Sequence, residues 1–352
     1  MKILFLASDL NRLGGIQSYN RGLLESLRGE GMDILIVELG NNGLFSKFAF
    51  ILKFVISFLR LKPDFVFCSH INFSPIGLFF KKFFGRDYII FTHGIEVWKI
   101  GSALKRKSLA RAKIVVTVSE FTKRKLLEEI PAINGKIFLL PNFVDGDKFF
   151  IKKEDKAELL EKYGLPRNSR IILTVARLAS SEKYKGYDEI IRALPKIVSE
   201  VPDVAYVIVG EGDDSARISR LVRELGLGER VALTGRVSDA ELLDYFNLCD
   251  VFAMPSLGEG FGIVFLNALA CGKPVVAGDK DASREAVLNG ELGILVDPQS
   301  EPEIIRAIES VLSGRADKRF FDGRFLRDKV LGVFGFDKFK EWVRILLNEL
   351  QG

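Results

Sequence analysis

The sequence predicts an α/β protein made of two successive doubly wound halves, and three observations support this. The chain has 352 residues, which is more than one hydrophobic core usually organises. Short apolar runs alternate with helical patterns, and the alternation starts again after a polar, lysine-rich stretch at 145–162. Hydrophobic residues make up 48% of the chain and charged residues 28%, so a disordered, collagen-like or disulfide-built protein is excluded.

Twelve apolar runs predict buried parallel strands, six in each half. In the first half they are KILFLA, DILIVEL, DFVFCS, DYIIFT, KIVVTVS and KIFLLP, and in the second RIILTVA, VAYVIVG, RVALTG, DVFAMPS, KPVVAG and GILVDP. We expect one domain at 1–150 and another at 151–335, joined near 145–165. Because open α/β sheets bind ligands at the carboxyl ends of their strands, we expect the domains to face each other across a ligand-binding cleft.

The last residues, 336–352, have the periodicity of an amphipathic helix. We expect Phe339, Trp342, Ile345 and Leu346 to form its apolar side. This helix is expected to cross back onto the first domain, so that its deletion would reduce stability or turnover.

Basic charge is concentrated in the first half of the chain. Residues 1–150 hold 22 Lys and Arg against 13 Asp and Glu, whereas the remainder holds 29 against 33. The first half also carries 19 of the 29 phenylalanines. This combination indicates an anionic, partly apolar partner, which a membrane surface would satisfy, and we expect no nucleic-acid partner.

Two phenylalanine-rich segments are candidates for that surface. Residues 44–61 are interrupted by Lys47, Lys53 and Arg60, which makes them a poor membrane span. A helix packed on a sheet and a helix partly dipped into lipid both fit this pattern. The run GLFFKKFFGR at 77–86 leaves the same two alternatives. Since the five-residue apolar run after Lys2 indicates a buried strand and no signal peptide, we expect a cytoplasmic protein, with peripheral attachment to the inner face of the cell membrane as a further expectation.

Metal and disulfide chemistry find little support in the sequence. No CxxC spacing occurs, and the chain has only three cysteines and two histidines. The cysteines and histidines are Cys68, Cys249, Cys271, His70 and His93.

Nucleotide-binding patterns of other classes are also weak. Gly210-x-Gly212 follows a strand, but Ser215 stands where the third glycine of a dinucleotide fingerprint belongs. Gly272-Lys273 runs into proline, so no ATPase phosphate loop is present. A hydride-transferring enzyme with a dinucleotide cofactor is therefore disfavoured.

Two loops at strand ends of the first half carry candidate groups. Gly14 and Gly15 open a helix, where exposed N–H groups and the helix dipole favour an anion; a tight turn without ligand is the alternative. His93 ends the fourth strand, beside Gly94 and Glu96. A lone histidine is often a structural residue. Its position at a strand end favours the alternative, a role in ligand binding or catalysis.

The second half places cations at the end of its first strand. Arg177 follows RIILTVA, and Lys183 and Lys185 precede the next helix. A guanidinium fork and a mobile ammonium directed at one helix start form a diphosphate clamp; a solvated charge cluster is the alternative.

The segment MPSLGEGFGIVFLNALACGKPVVAG concentrates the remaining candidates. Glu259 follows a strand, and Gly260-Phe261-Gly262 opens the next helix. Such a carboxylate can accept hydrogen bonds from sugar hydroxyls while backbone N–H groups bind phosphate oxygens. Asn267 lies two helical turns further on, on the same side of the helix.

With these motifs the chain resembles the family-4 glycosyltransferases of GT-B fold. The resemblance extends over nearly the whole length and rests on GGI, THG, VSEFTK, PNFVD, the 177–185 segment, VGEGD, LTGRVSDAEL, MPSLGEGFGIVFLNALACGKPVVAG and GELGILVDP, in the family's order. It implies acceptor binding by the first domain and donor binding by the second. Site residues follow by resemblance: Arg177 and Lys185 at the diphosphate, Glu259 at the transferred sugar, Gly15 at the donor, His93 beside the sugar, and the backbone of Arg236 and Val237 at the base. The glycine loops add Gly14, Gly260, Phe261 and Gly262 as donor-binding candidates.

One position departs from the family pattern. The second glutamate of the motif, which usually accepts a hydrogen bond from the ribose, is Asn267 here. A neutral acceptor in place of a carboxylate weakens that bond by roughly 1 kcal/mol. We expect activity to survive; the alternative is a non-catalytic nucleotide-sugar-binding subunit.

The resemblance implies a retaining hexosyltransferase that acts on a glycan or lipid-linked acceptor. Polysaccharide, lipopolysaccharide or glycolipid synthesis of the cell envelope is the expected context. UDP-sugars and GDP-sugars fit the motifs equally well. The cations and glycine-loop amides can stabilise a departing diphosphate without a metal, so we expect no cofactor.

Overall fold

The structure is a computed structural model that describes residues 1–11, 14–40, 44–153 and 155–351, with the backbone alone at 44–48. Its contacts divide the chain into two compact units. Unit 1 comprises residues 1–143 together with the C-terminal helix, and unit 2 comprises Val144–Gly335. Each unit contains one parallel six-stranded sheet, and both have the Rossmann-like arrangement of the GT-B fold.

Unit 1 has the strand order β2-β1-β3-β4-β5-β6, with every pair parallel. Because the chain moves first to one side of β1 and then to the other, the carboxyl ends of β1 and β3 flank a topological switch point. The strands are β1 Lys2–Ser8, β2 Asp33–Leu39, β3 Phe65–Cys68, β4 Asp87–Thr92, β5 Ile114–Thr117 and β6 Ile137–Leu139.

Five helices follow the strands of unit 1. They are α1 Gly15–Gly29, α2 Leu44–Leu61, α3 Ser74–Phe84, α4 Ala103–Arg111 and α5 Glu120–Glu129. Helix α2 buries one phenylalanine per turn, at Phe50, Phe54 and Phe58, in the core of unit 1. Of the two alternatives for 44–61, the packed helix is therefore present, and its opposite face is exposed.

Unit 2 repeats the plan with the order β12-β11-β10-β7-β8-β9. Its switch point lies between β7 and β10, which pair in parallel. The strands are β7 Arg170–Val175, β8 Val204–Val209, β9 Val231–Gly235, β10 Val251–Met254, β11 Val275–Gly278 and β12 Ile294–Val296. All twelve predicted strands are thus confirmed.

The helices of unit 2 range from one turn to four. They are α6 Ala157–Lys162, α7 Tyr187–Glu200, α8 Ser215–Glu224, α9 Asp239–Leu248, α10 Ile263–Ala270, α11 Ser283–Ala286, α12 Glu301–Leu312 and α13 Gly323–Phe334. Helices α7 and α12 pack on the sheet through a continuous hydrophobic core.

The C-terminal helix α14, Phe336–Gln351, packs on unit 1. Its buried residues are Phe339, Val343, Leu346, Leu347 and Leu350. The apolar side expected from sequence is wrong at Trp342 and Ile345, which are exposed. The buried residues follow one another at spacings of four, three and four, from Phe339 through Val343 and Leu346 to Leu350. Trp342 and Ile345 lie on the flank of this stripe.

No helix within the described residues is both long and apolar enough to cross a membrane.

Candidate functional site

The loops that carry the charged candidates of unit 2 start from its switch point. The first follows β7 and runs from Arg177 to Gly186, and the second follows β10 and runs from Pro255 to Gly262. Because β7 and β10 are adjacent, both loops emerge from the same part of the sheet edge. The N–H of Leu257 donates to the carbonyl of Tyr184 at 2.9 Å, which ties the loops together.

Lys185 and Glu259, 74 residues apart in sequence, form an ion pair at this place. Their side chains are only 17% and 11% exposed. Burial lowers the pKa of the Lys185 ammonium, but the charge of Glu259 and its hydrogen bond outweigh burial, so that the net pKa is raised. Lys185 is therefore a fully charged cation in a nearly water-free position.

Arg177 is bound differently, because its guanidinium donates to the carboxylate of Glu182. Glu182 is buried, whereas 71% of the Arg177 side chain is exposed. One side of the guanidinium is thus fixed to the protein and much of the rest faces solvent. A planar cation held in this way can donate to an anion at its free edge.

Gly186 lets the two loops come this close. Its φ is +83°, and a Cβ at this position would lie 2.3 Å from the carbonyl oxygen of Pro255. A side chain is therefore excluded by both backbone strain and contact. Since Gly186 follows Lys185 directly, this close approach fixes the backbone from which the Lys185 side chain extends to Glu259.

The glycine-rich entry to α10 divides into buried and accessible parts. Gly262 is the N-cap of α10, and Phe261 packs its ring on Phe334 at a centroid distance of 5.3 Å. Gly260 is partly exposed. The Phe261 side chain is therefore a packing residue, and donor contact at Gly260–Gly262 stays a prediction.

Asn267 is buried on α10. Its side-chain amide makes no hydrogen bond to the described residues and is not among their buried polar atoms that lack a partner, so part of it reaches solvent. The amide is therefore accessible to water or to a ligand, and ribose contact at Asn267 stays a prediction.

The motif at 210–214 braces the cation-bearing loop. A Cβ on Gly212 would lie 2.0 Å from the carbonyl oxygen of Leu178, so glycine permits close backbone approach there. The carboxylate of Asp213 accepts from Ser180 at both its N–H, at 2.9 Å, and its hydroxyl, at 2.6 Å. The incomplete dinucleotide fingerprint Gly210-x-Gly212 therefore belongs to a segment that supports the Arg177–Lys185 loop.

Arg236 and Val237 are not brought to the Lys185–Glu259 pair. They follow the edge strand β9, which β7 and β8 separate from β10. Arg236 is exposed, and its Nη1 lies 3.5 Å from Oε1 of Glu211. Among the described residues neither one hydrogen-bonds to Lys185 or Glu259.

Sequence reasoning missed Asp281, which is completely buried behind Glu259. Its Oδ2 accepts from the N–H of Glu259 at 2.6 Å and its Oδ1 from the N–H of Ser283 at 2.9 Å. Burial raises the pKa of Asp281 to about 6, although these hydrogen bonds oppose the shift. Its position just after β11, beside β10, is the sequence feature that could have revealed it.

In unit 1, Gly14 is the N-cap of α1, and its carbonyl accepts from Ser18 at 2.9 Å. Gly14 and Gly15 are both exposed, so the first amides of this helix face solvent.

His93 ends β4 with its ring largely enclosed. Its Nε2 lies 2.8 Å from the carbonyl oxygen of Ser69, and Tyr19 packs edge-on against the ring at a centroid distance of 5.2 Å. Because a carbonyl can only accept, Nε2 carries the proton and Nδ1 is an acceptor. Burial lowers the pKa of His93, which keeps the imidazole neutral.

The second missed residue is His70, which follows β3 as His93 follows β4. The adjacent parallel strands bring the two imidazoles into a stack with centroids 6.3 Å apart. Nδ1 of His70 accepts from the N–H of Asn72 at 3.1 Å. Burial lowers the pKa of His70 to about 4, with the Glu96 charge opposing and His93 and Lys105 adding to the effect.

Comparison with known proteins places family models on both halves of the chain. Residues 36–148 match the model described as "Glycosyltransferase Family 4", and residues 155–321 match "Glycosyl transferases group 1". The described residues contain no group of three or more His, Cys, Asp or Glu side chains that could hold a metal ion.

Curated relatives include two mycobacterial mannosyltransferases. The GDP-mannose-dependent alpha-(1-6)-phosphatidylinositol monomannoside mannosyltransferase of Mycolicibacterium smegmatis is 33% identical over 249 residues, covering 68% of this chain and 64% of the relative. The phosphatidyl-myo-inositol mannosyltransferase of Mycobacterium tuberculosis is 31% identical over 236 residues, covering 62% and 58%. The matched region thus spans less than two thirds of either relative.

Solved structures share the fold over the whole chain. Sucrose-phosphate synthase from Thermosynechococcus elongatus has a TM-score of 0.83 at 22% identity and covers 100% of this chain and 99% of its own. Anabaena HepE in complex with UDP-glucose has a TM-score of 0.79 at 18% identity, covering 99% of both chains.

Proposed function

Because the chain belongs to glycosyltransferase family 4, we propose that it transfers a hexosyl residue from a nucleoside-diphosphate sugar to a hydroxyl group of a glycan or lipid-linked acceptor. The observation that carries this proposal is the buried Lys185–Glu259 pair at the switch point of unit 2. We assign donor binding to unit 2 and acceptor binding to unit 1.

The chemistry requires charge stabilisation on the leaving diphosphate. Lys185 supplies a desolvated positive charge, and Arg177 supplies a guanidinium whose free edge reaches solvent. We propose that backbone N–H groups at Gly260 and at Gly14 and Gly15 add donors. These groups can perform the role without a bound metal, so metal-independent transfer remains our proposal.

Glu259 acts on the sugar in this scheme. When a diphosphate takes over Lys185, the Glu259 carboxylate is released to accept from a sugar hydroxyl. His93, neutral and with Nδ1 open to accept, is assigned to a sugar or acceptor hydroxyl. No residue is assigned as a nucleophile on the sugar, and retention of configuration rests on the family alone.

Mannose is the first hexose to test, because the mycobacterial relatives are named as mannosyltransferases and one as GDP-mannose-dependent. UDP-glucose is the second, because it is bound in the HepE structure. We assign base recognition to the backbone at Arg236 and Val237 and ribose contact to the unpartnered Asn267 amide. Synthesis of an envelope polysaccharide, lipopolysaccharide or glycolipid is the context we propose.

Unit 1 carries a surface suited to a lipid-linked acceptor. On the outer face of α2, the side chains of Ile51, Leu52, Val55, Ile56 and Leu59 are 40–61% exposed. On α3, Phe79, Phe83 and Phe84 are 48–60% exposed. We call these eight residues the apolar face. A monomeric protein rarely exposes so many neighbouring apolar side chains without a partner.

The two helices are joined beneath this surface and carry cations around it. Phe80 of α3 packs between Phe54 and Phe58 of α2, at centroid distances of 4.3 and 4.4 Å. Lys53 and Lys82 are exposed beside the apolar face. Apolar tips flanked by cations match an anionic bilayer surface. We therefore propose peripheral attachment to the inner face of the cell membrane of an otherwise cytoplasmic protein.

Transfer of labelled hexose tests the enzymatic proposal. The full chain is incubated with GDP-mannose or UDP-glucose and with vesicles that contain phosphatidylinositol or a total envelope-lipid extract. We expect labelled lipid with one donor and a large loss in Glu259→Ala. If neither donor binds or reacts, the proposal is wrong.

A non-catalytic nucleotide-sugar-binding subunit is the second candidate, and Asn267 favours it. This candidate requires a nucleotide to stabilise the protein against heat while neither the parent nor Asn267→Glu transfers sugar. Transfer by the parent would exclude it.

A further inference from the structure

Asp281 has a fully buried carboxylate, which accepts a hydrogen bond from the backbone of the site residue Glu259. Besides the two N–H groups that its oxygens accept, the N–H of Ala282 donates to the carbonyl of Glu259 at 3.2 Å. Both backbone groups of Glu259 are therefore held by the short segment 281–283. The loop that carries Glu259 and the loop after β11 are thus joined at a single residue.

The contacts form a chain from the interior to the site. Asp281 holds the Glu259 backbone, and the Glu259 carboxylate holds Lys185. Since Asp281 is 0% exposed, it cannot touch a donor or acceptor. Any influence on a ligand has to pass through the position of Glu259.

We propose that Asp281 is a positioning residue, whose ionised carboxylate fixes the Glu259 backbone so that the Glu259 side chain is directed at Lys185 and at the sugar of the donor. The ligand in this statement rests on the proposed function, whereas the Asp281–Glu259 contact belongs to unit 2 itself. Loss of the carboxylate would free the Glu259 amide and broaden the range of positions open to its side chain.

An ionised carboxylate is needed for this task. It offers acceptors to two N–H groups, whereas a protonated carboxyl carries a donor that one of those N–H groups cannot accept. The titratable groups that face Asp281 are the Glu259 carboxylate and the neutral phenol of Tyr184, and Lys185 acts through Glu259. Its neighbour Lys280 is directed at Asp279 and Asp297.

A pH dependence follows from the same geometry. Burial raises the pKa of Asp281 to about 6, so the carboxylate is ionised above that pH and becomes protonated as the pH falls through it. The hold on the Glu259 amide is then present at neutral pH and lost in acid. The rate of sugar transfer should therefore fall over the same acidic pH range.

Hydrogen–deuterium exchange of the Glu259 amide measures the hold directly. In Asp281→Asn the amide group places a donor against one of the two N–H groups, and we expect the protection of the Glu259 amide at pH 7 to fall at least roughly tenfold. Asp279→Asn is the matched control, since it removes one carboxylate from the same loop without a bond to Glu259, and it should keep parental protection.

The parent protein alone provides a second measurement, which does not depend on a variant that folds. Its protection factor at Glu259, corrected for intrinsic exchange, should drop between pH 7 and pH 5. Equal protection in Asp281→Asn and Asp279→Asn, or a parental protection factor that is flat across this range, would overturn the proposal.

Activity separates positioning from general damage. We expect Asp281→Asn to retain GDP or UDP binding within about twofold while transfer falls at least tenfold and its acid limb disappears. If nucleotide binding falls as much as transfer, Asp281 acts on overall structure and the proposal is wrong. If the parent transfers no sugar, the proposed function fails, and the exchange measurement still decides the role of Asp281.

Discussion

Units 1 and 2 share one sheet plan but use their strand ends in opposite ways. In unit 2 the switch point collects charges, and each is stabilised by a partner: Lys185 by Glu259, and Arg177 by Glu182. In unit 1 the neighbouring strand ends carry two imidazoles that burial keeps neutral. The comparison teaches that a common scaffold fixes where a ligand binds, while local burial and partners decide which chemistry is available there.

Glu259→Gln tests the charged side of the comparison and should have the largest effect. The amide keeps one acceptor oxygen but neither the charge that faces Lys185 nor the strength of a charge-assisted bond. We expect kcat/KM for transfer to fall on the order of 10³-fold. Activity within threefold of the parent would show that Glu259 does not act on the reacting sugar.

Neighbouring residues of α14 test how unit 1 is held together. Leu346 is buried and Ile345 is exposed. Leu346→Ala should lower the free energy of unfolding by about 3 kcal/mol, and Ile345→Ala should change it by at most about 0.5 kcal/mol. Urea denaturation measures both. Equal losses would contradict the observed helix face.

The apolar face is the feature of unit 1 that contrasts most with the buried charges of unit 2. Vesicle flotation tests its role. A Leu59→Ser, Phe83→Ser double variant should bind anionic vesicles at least roughly tenfold more weakly than the parent. Trp342→Ser, which removes an exposed aromatic from α14, is the control and should bind as the parent does.

Vesicle composition and salt separate insertion from charge. Binding retained in high salt indicates that the apolar side chains dominate, whereas salt-sensitive binding indicates adsorption by lysines. Negligible parental binding with and without anionic lipid would remove the membrane proposal.

We expect the smallest effect in the pH dependence of the free energy of unfolding. Its sign should differ between His70 of unit 1 and Asp281 of unit 2. His70 has a pKa of about 4 when folded, below its ordinary value of 6.5, so the unfolded chain binds more protons between these values. Stability from His70 is therefore present above pH 6.5 and lost as the pH falls toward 4. Asp281 has a raised pKa, so the folded chain binds its proton more tightly than the unfolded chain does. Its net contribution to stability is therefore lost as the pH rises through about 6, even though the ionised form is the one that holds the Glu259 amide.

Thermal unfolding of His70→Asn checks this sign. The asparagine keeps an acceptor for the Asn72 amide but does not titrate, so its Tm should fall less than the parental Tm between pH 6.5 and pH 4. Parallel curves for the two proteins would contradict the neutral, buried state of His70.

Sequence reasoning located the strands because continuous apolar runs between polar loops specify buried parallel strands. It predicted that Lys185 and Glu259 lie close together because both follow strand ends next to glycines, and the structure pairs them. It missed Asp281, Glu182 and His70, since their partners are 5 to 23 residues away and depend on loop geometry that residue letters do not contain. The apolar side of α14 was misplaced because that helix has more apolar residues than its packed face accommodates.

Calorimetric binding of GDP and UDP to the parent, Lys185→Met and Lys183→Met tests the central claim most directly. Lys183 is an exposed lysine two residues away on the same loop, so both variants remove one charge. We expect one nucleotide to bind the parent and Lys183→Met alike and to bind Lys185→Met roughly 10- to 100-fold more weakly, as loss of a charge-assisted hydrogen bond requires. Equal affinity in all three proteins, or no binding of either nucleotide to the parent, would contradict a diphosphate site at the Lys185–Glu259 pair.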